Sequence, residues 1–162
     1  MVTANFIEQL RAIVGEEDVI SHPEDLLVYE YDGSVDRSMP SAVIFPTSTE
    51  EVSRVLALTH REGVPVVGRG SGTGLSGGAI ALEGGIQIAF TKMNHILEVD
   101  SENRTATIEP GVINLDLDTY VRRFGMRYAP DPSSQRACSL GGNIAENAGG
   151  PHCLAYGTTT NH

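Results

Sequence analysis

Residues 41–78, SAVIFPTSTEEVSRVLALTHREGVPVVGRGSGTGLSGG, decide the fold. Residues 42–45 form a short apolar run closed by Pro46, which reads as a strand. Thr47 and Ser48 each stand three residues ahead of a glutamate, so either can cap a helix whose glutamate reaches back to an open amide. Val52, Val55, Leu56 and Thr59 then line one helical face, and Gly63 falls where a left-handed C-cap belongs. Residues 64–67 read as the next strand. Strand, helix, strand with short connections is a βαβ unit, whose strands are expected to run parallel with a right-handed crossover.

At the carboxyl end of that second strand, the edge where open α/β sheets bind ligands, residues 67–78 place six glycines among Ser71, Thr73 and Ser76. A cluster this bare costs stability unless its backbone is needed. Residues 72–77 match G-x-G-x-x-G, the nicotinamide-dinucleotide fingerprint, which requires a helix beginning inside the motif. Gly77, Gly78, Gly84 and Gly85 leave too short a run for one. Residues 74–78 match the G-x-S-x-G nucleophile elbow, which also needs a following helix. No G-x-x-x-x-G-K-[ST] occurs. What remains is a concave anion nest of successive backbone N–H groups, with hydroxyl donors alongside and Arg69 either adding charge or fixing the loop internally. The competing reading is a glycine-rich surface turn.

Elsewhere, residues 5–14 carry Phe6, Leu10 and Ile13 at helical spacing with Gly15 as a stop, and residues 16–41 read as turns, a short helix over 23–29, and loop. Ile86, Ile88 and Phe90 alternate as a strand. HILEVDSENRTATIEPG, residues 95–111, predicts an antiparallel hairpin turning at 101–104. Asn114 is expected to cap a short helix with Leu117, Tyr120, Val121 and Phe124 on one face and Gly125 at its end, after which residues 126–129 return as a strand. A second glycine-rich stretch closes the chain, with Gly141, Gly142, Gly149 and Gly150 around Asn143 and Asn147. Two bare stretches in a short domain suggest opposite walls of one long ligand.

The 162 residues, 40% hydrophobic and 20% charged, suit one soluble domain, and no segment is long and apolar enough to span a membrane. The amino terminus shows no basic leader before an apolar run, so a cytoplasmic setting is expected. A formal net charge of −10 without an arginine cluster argues against a nucleic-acid partner. Cys138 and Cys153 lack zinc spacing and read as free thiols, and the five histidines show no metal pattern.

PVVGRGSGTGLSGGA resembles the pyrophosphate loop of the vanillyl-alcohol-oxidase, or PCMH-type, FAD-linked oxidases, and APDPSS followed by SLGGNIAENAGG and YGTT resembles the second flavin-contacting region of that family. The nearest branch holds the D-type subunit of glycolate oxidase with the D-lactate and D-2-hydroxyglutarate dehydrogenases. The resemblance implies an α+β fold, a small parallel βαβ subdomain followed by the start of a mixed, antiparallel second subdomain, with residues 1–41 a lead-in and 42–162 an FAD-binding domain. It implies that Arg69, Gly70, Ser71, Gly72, Thr73 and Gly74 hold the pyrophosphate while Gly77 and Gly78 complete the turn. Pro130, Asp131, Ser139, Gly141, Gly142, Asn143, Asn147, Gly149 and Gly150 would line the flavin, completed by Tyr156 and Gly157. Gly68 and Ser71 depart from the family's common residues. No histidine stands in the first loop, so FAD bound without a covalent link is expected.

Family members are much longer, which implies an amino-terminal fragment, inactive alone, of an enzyme that oxidises a small (R)-2-hydroxy acid by hydride transfer to FAD. Partner subunits of a glycolate-oxidase-like complex are expected, and no catalytic residue carries over. A stand-alone FAD-binding or partner-docking module is the alternative, with a serine hydrolase using Ser76 behind it.

Overall fold

The computed structural model describes residues 2–81 and 84–162, which divide into two compact units, Met1–Lys92 and Met93–His162. The first opens with α1 (Ala4–Val14), capped by the Thr3 hydroxyl, which accepts the Phe6 N–H, and stopped at Gly15, whose N–H donates to Arg11 O. A 3-10 turn leads into β1 (Val19–Ile20), and α2 (Pro23–Leu26) runs into a second 3-10 turn ending at Tyr29. The helix expected over 23–29 is thus a mixed one. β1 has no signature in the sequence, because two residues carry no periodicity.

β2 (Ala42–Ile44), α3 (Thr49–Glu62) and β3 (Val66–Arg69) form the expected strand–helix–strand series. Ser48 is the cap: its hydroxyl accepts the Glu51 N–H at 3.2 Å, while Glu51 Oε2 accepts the Thr47 N–H at 2.7 Å. Gly63 closes α3 in the left-handed region, φ +65°. The buried face of α3 differs from expectation in one position: Leu58 is buried beside Val55 and Thr59, and Leu56 is exposed.

β4 (Ile86–Ala89) inserts between the two strands, giving sheet order β1-β2-β4-β3, with β4 parallel to both neighbours and β1 antiparallel to β2. As a central parallel strand it is buried on both faces, so it does not alternate, and Phe90 already lies in a 3-10 turn. Pleating sends Ala42, Ile44, Ile86 and Ile88 into a core with Phe6, Leu10 and Val14 of α1 and Val55 and Leu58 of α3. Val43 and Ala89 point the other way, towards Leu26 and Tyr29.

In the second unit β5 (Ile96–Asp100) and β6 (Thr105–Ile108) form the expected hairpin, with a bulge between Ile96 and Glu98. α4 (Asn114–Val121) has Ile113 as its cap rather than Asn114, because the Asn114 side chain is buried and bonded elsewhere. Tyr120 and Phe124 are exposed, and Leu117 and Val121 pack with Val112 and Leu140. Residues 126–129 are not a strand. Their backbone bonds run to α4, Met126 N–H to Val121 O and Tyr128 N–H to the buried Asp118 carboxylate, so no ladder forms. α5 (Leu140–Ala145) and α6 (Cys153–Tyr156) complete the unit. No helix among the described residues is long and apolar enough to cross a membrane.

Candidate functional site

The glycine stretch leaves β3 at Arg69, the last rung of its ladder with Ala89, and returns to β4 without an α-helix among described residues 70–81 and 84–85. The helix that a nicotinamide fingerprint or a nucleophile elbow demands is therefore not there, and Ser76 is exposed on an irregular turn. Ser71 and Gly78 are exposed as well, while Gly70, Gly72, Thr73, Gly74 and Gly77 are half-buried.

Arg69 is only 7% exposed. It shares the sheet face of Ala89 and lies with its guanidinium 5.5 Å from the centre of the Tyr29 ring. Burial lowers the guanidinium's pKa, opposed by Tyr29, Asp32 and Tyr31, and its Nη1 is buried with no hydrogen-bond partner among the described residues. A buried cationic N–H without an acceptor is costly, and an anionic oxygen is the group that relieves it. Gly72 lies against this guanidinium: a Cβ there would stand on Nη2 and 2.9 Å from Cζ, and its φ of +68° already favours glycine. The bareness at position 72 therefore answers to Arg69 before any ligand.

Four residues without a pattern of their own in the first glycine motif brace the loop: Tyr29, Asp32, Gly33 and Gln87. Gly33 donates its N–H to Gly74 O at 2.8 Å, and a Cβ on Gly33 would come within 2.7 Å of that oxygen. Asp32 is also 7% exposed, and its Oδ1 accepts the Ser34 N–H at 2.7 Å. Burial raises the Asp32 pKa, yet hydrogen bonds from Ser34 and Ala79 and the Arg69 charge prevail and hold it below the usual carboxylate range. Gln87, wholly buried in β4, donates from Nε2 to Tyr29 O at 2.8 Å and to Ala79 O at 3.0 Å, tying the lead-in and the loop's exit to the central strand. Gln87 had a readable signal, since a lone amide in the apolar run IQIA must find partners. Asp32, Gly33 and Tyr29 had none beyond a turn-like Asp-Gly.

The second stretch is helical in part: Gly141 and Gly142 lie in α5, whereas Gly149 and Gly150 lie in the irregular segment between α5 and α6. Ser139 caps α5, its hydroxyl accepting the Gly142 N–H, and Gly141 donates to Pro110 O at 2.8 Å while its missing Cβ would sit 2.7 Å from Pro110 Cβ. Asn143 is 4% exposed, and its Oδ1 accepts from Asn114 Nδ2 at 2.9 Å. The same Asn114 nitrogen donates to Pro130 O at 3.1 Å, so one buried amide pair fixes the helix to the entry of PDPSS. A Cβ on Gly150 would lie on the Asp131 carbonyl, and the His152 ring pairs with the Asp131 carboxylate. Those His152 bonds, the side chain's first, lower the Asp131 pKa. Asn147, at φ +50°, accepts the Thr160 N–H and hydroxyl through Oδ1. Gly149 lies beside Thr158, Gly157 beside Asn161, and the exposed Tyr156 ring lies under Arg127. Each proposed flavin-side residue thus lies in one connected part of the second unit.

Cys138 is buried and Cys153 exposed, both free. No group of three or more metal-binding side chains is found among the described residues.

The FAD binding domain family matches residues 40–162. Glycolate oxidase subunit GlcD of Bacillus subtilis is 47% identical to this chain over 163 residues, covering 100% of this chain and 35% of that protein. D-lactate dehydrogenase of Archaeoglobus fulgidus is 39% identical, covering 98% of this chain and 35% of its own. Among solved structures, alkyldihydroxyacetonephosphate synthase superposes with a TM-score of 0.87 at 23% identity, over 96% of this chain and 31% of that one, a likeness of fold alone. The chain therefore spans 35% of the length of both curated relatives. With the match running from residue 40 to residue 162 over both glycine stretches, and with the mixed α+β architecture in agreement, the chain belongs to the FAD binding domain family.

Proposed function

We propose that this chain binds FAD without a covalent link and forms the FAD-binding portion of an oxidoreductase that oxidises a small (R)-2-hydroxy acid of the glycolate or D-lactate type. The observation that carries the reading is the buried Nη1 of Arg69, unpartnered among the described residues, at a glycine loop on the carboxyl edge of the parallel strands β3 and β4. In a chain of net charge −10, this cation and the loop's backbone N–H groups suit a diphosphate. Arg69, Gly70, Ser71, Gly72, Thr73 and Gly74 would hold it, with Gly77 and Gly78 shaping the turn. The flavin-side residues between Pro130 and Gly157 would orient the flavin. No histidine in residues 67–78 offers a covalent attachment point.

When bound, FAD supplies the two-electron acceptor for the substrate's C2 hydride. The chain's own part is to bind and orient. The names of the relatives, a glycolate oxidase subunit and a D-lactate dehydrogenase, support the substrate class, and the word subunit supports partner chains. Titrating FAD into the purified chain, with FMN and NAD as controls, tests the core of the reading through quenching of flavin fluorescence. Saturable binding of FAD, with FMN weaker and NAD absent, is expected. Equal affinity for FMN and FAD would leave the diphosphate no role.

A further inference from the structure

Gln87 and Arg69 stand on one face of the sheet, on neighbouring strands: Gln87 is level with Val67, and Arg69 with Ala89. Tyr29 spans the two. Its carbonyl accepts from Gln87 Nε2 at 2.8 Å, the centre of its ring lies 5.5 Å from the Arg69 guanidinium, and the ring is held edge-on to Phe45 with 6.0 Å between centroids. The same Gln87 nitrogen donates to Ala79 O at 3.0 Å, at the loop's exit, where the Ile80 N–H donates to Gly77 O. For packing alone an amide is a poor choice here. Gln87 is wholly buried in a strand with Ile86, Ile88 and Ala89, and its Oε1 has no hydrogen-bond partner among the described residues. A buried acceptor left unpaired costs stability, so methionine would suit the strand better. What the amide supplies instead is two donor hydrogens, one directed at the segment beside Arg69 and the other at the loop's exit.

We propose that Gln87 is a positioning residue for the glycine loop: its two bonds fix the Tyr29 and Ala79 carbonyls and so set where the Arg69 guanidinium and the turn that follows it stand. Without them the Tyr29 backbone loses its tie to β4, its ring shifts with it, and Arg69 loses the surface that holds it against Gly72. Arg69 and residues 70–74 are the ones assigned to the diphosphate. Gln87 therefore favours FAD, which carries a diphosphate, over FMN, which carries a single phosphate, and to that extent the proposal rests on the FAD-binding reading above. Being wholly buried, Gln87 acts on the ligand only through Tyr29, Arg69 and the loop's exit.

The test compares the unsubstituted 162-residue chain with Gln87→Met and Gln87→Glu, first by amide hydrogen exchange without ligand and then by titration with FAD and FMN. The reporters are the Gly33 N–H, bonded to Gly74 O, and the Ile80 N–H, bonded to Gly77 O. Gln87→Met is expected to speed exchange at both by about tenfold, the net contribution of roughly one hydrogen bond, while the α3 amides keep their protection. In Gln87→Glu the introduced carboxyl offers one O–H donor when protonated and none when ionised. At about pH 5, where burial keeps it protonated, at least one reporter should return towards the parent rate. Reporters unchanged in Gln87→Met, or no slower in Gln87→Glu than in Gln87→Met at about pH 5, would overturn the proposal. Should Gln87→Met lose α3 protection as well, Gln87→Glu at about pH 5 decides: protection regained at a reporter supports the donor role, and continued loss refutes it. In the titration, Gln87→Met should weaken FAD binding by about tenfold and leave FMN binding unchanged, whereas an equal loss for both, or none for FAD, would count against it. A parent chain that binds no FAD at all would defeat the cofactor reading while leaving the exchange comparison to judge Gln87.

Discussion

Individual glycines in this chain answer to two different demands, backbone conformation and close approach, and their substitution separates them. Gly125 has φ +70° and open space around its Cβ position, so alanine there meets only backbone strain, about 1–2 kcal/mol. Gly150 is the reverse case: alanine would set a methyl group on the Asp131 carbonyl, and we expect a loss at the upper end of about 1–3 kcal/mol, read as a lower urea midpoint. Equal losses for the two would mean that the contact between 131 and 150 gives way easily. Asp131 also carries a pH signature. Its bonds from His152 depress its pKa in the folded state, so it contributes stability fully above the unfolded value, about 3.9, and loses it as pH falls through the lower folded value. Urea unfolding of Asp131→Asn should accordingly show less loss of stability between about pH 4 and pH 2 than the parent chain. An unchanged acid slope would show that the pairing contributes nothing.

Secondary-structure elements are legible in the sequence wherever a cap and a period coincide, and illegible where a side chain serves a distant partner. α3 can be placed because Ser48, Glu51 and Gly63 signal its ends locally, and the hairpin of β5 and β6 because its turn is polar. Leu56 and Leu58 exchange roles because a helical wheel does not say which neighbouring stripe faces the sheet. Asn114 imitates a cap because its true partners, Asn143 and Pro130, lie 29 and 16 residues away. α5 is hidden for a further reason, since two adjacent glycines argue against a helix. Its existence rests on the Ser139 cap and on Leu140, which is 1% exposed. That makes position 142 informative. Alanine at Gly142 raises helix propensity by about 1 kcal/mol but crowds Ser139 Oγ at 3.3 Å, so the net change in stability should stay within about 1 kcal/mol. Under the flavin-side assignment the same methyl group should weaken FAD binding by about tenfold, the equivalent of about 1.4 kcal/mol of overpacking. Stability and affinity falling together would instead mark Gly142 as purely structural.

At the scale of the whole chain, the two units have separate cores, and the first draws on residues ahead of the family match. Phe6, Leu10, Val14 and Val19 pack with β2, α3 and β4, so a chain begun at residue 40 would strip one face of the sheet. The family resemblance locates the ligand stretches from their glycines, but the support beneath the first one is assembled by tertiary contact: Gln87 signals only that it needs partners, and nothing local says that Tyr29, Asp32 and Gly33 meet the loop. Separate cores also make the proposed cofactor testable without an activity. A ligand that binds only the native state stabilises it by RT ln(1 + [L]/Kd), about 2.7 kcal/mol at a hundredfold excess over Kd, which for a chain of this size raises the melting temperature by roughly 5–10 °C. Because the units can unfold in separate steps, calorimetry should be analysed as two transitions. If both glycine stretches bind FAD, both transitions must move upward with FAD concentration and neither with NAD. A shift confined to one transition would assign the cofactor to that unit's stretch alone and withdraw the residues of the other from the site.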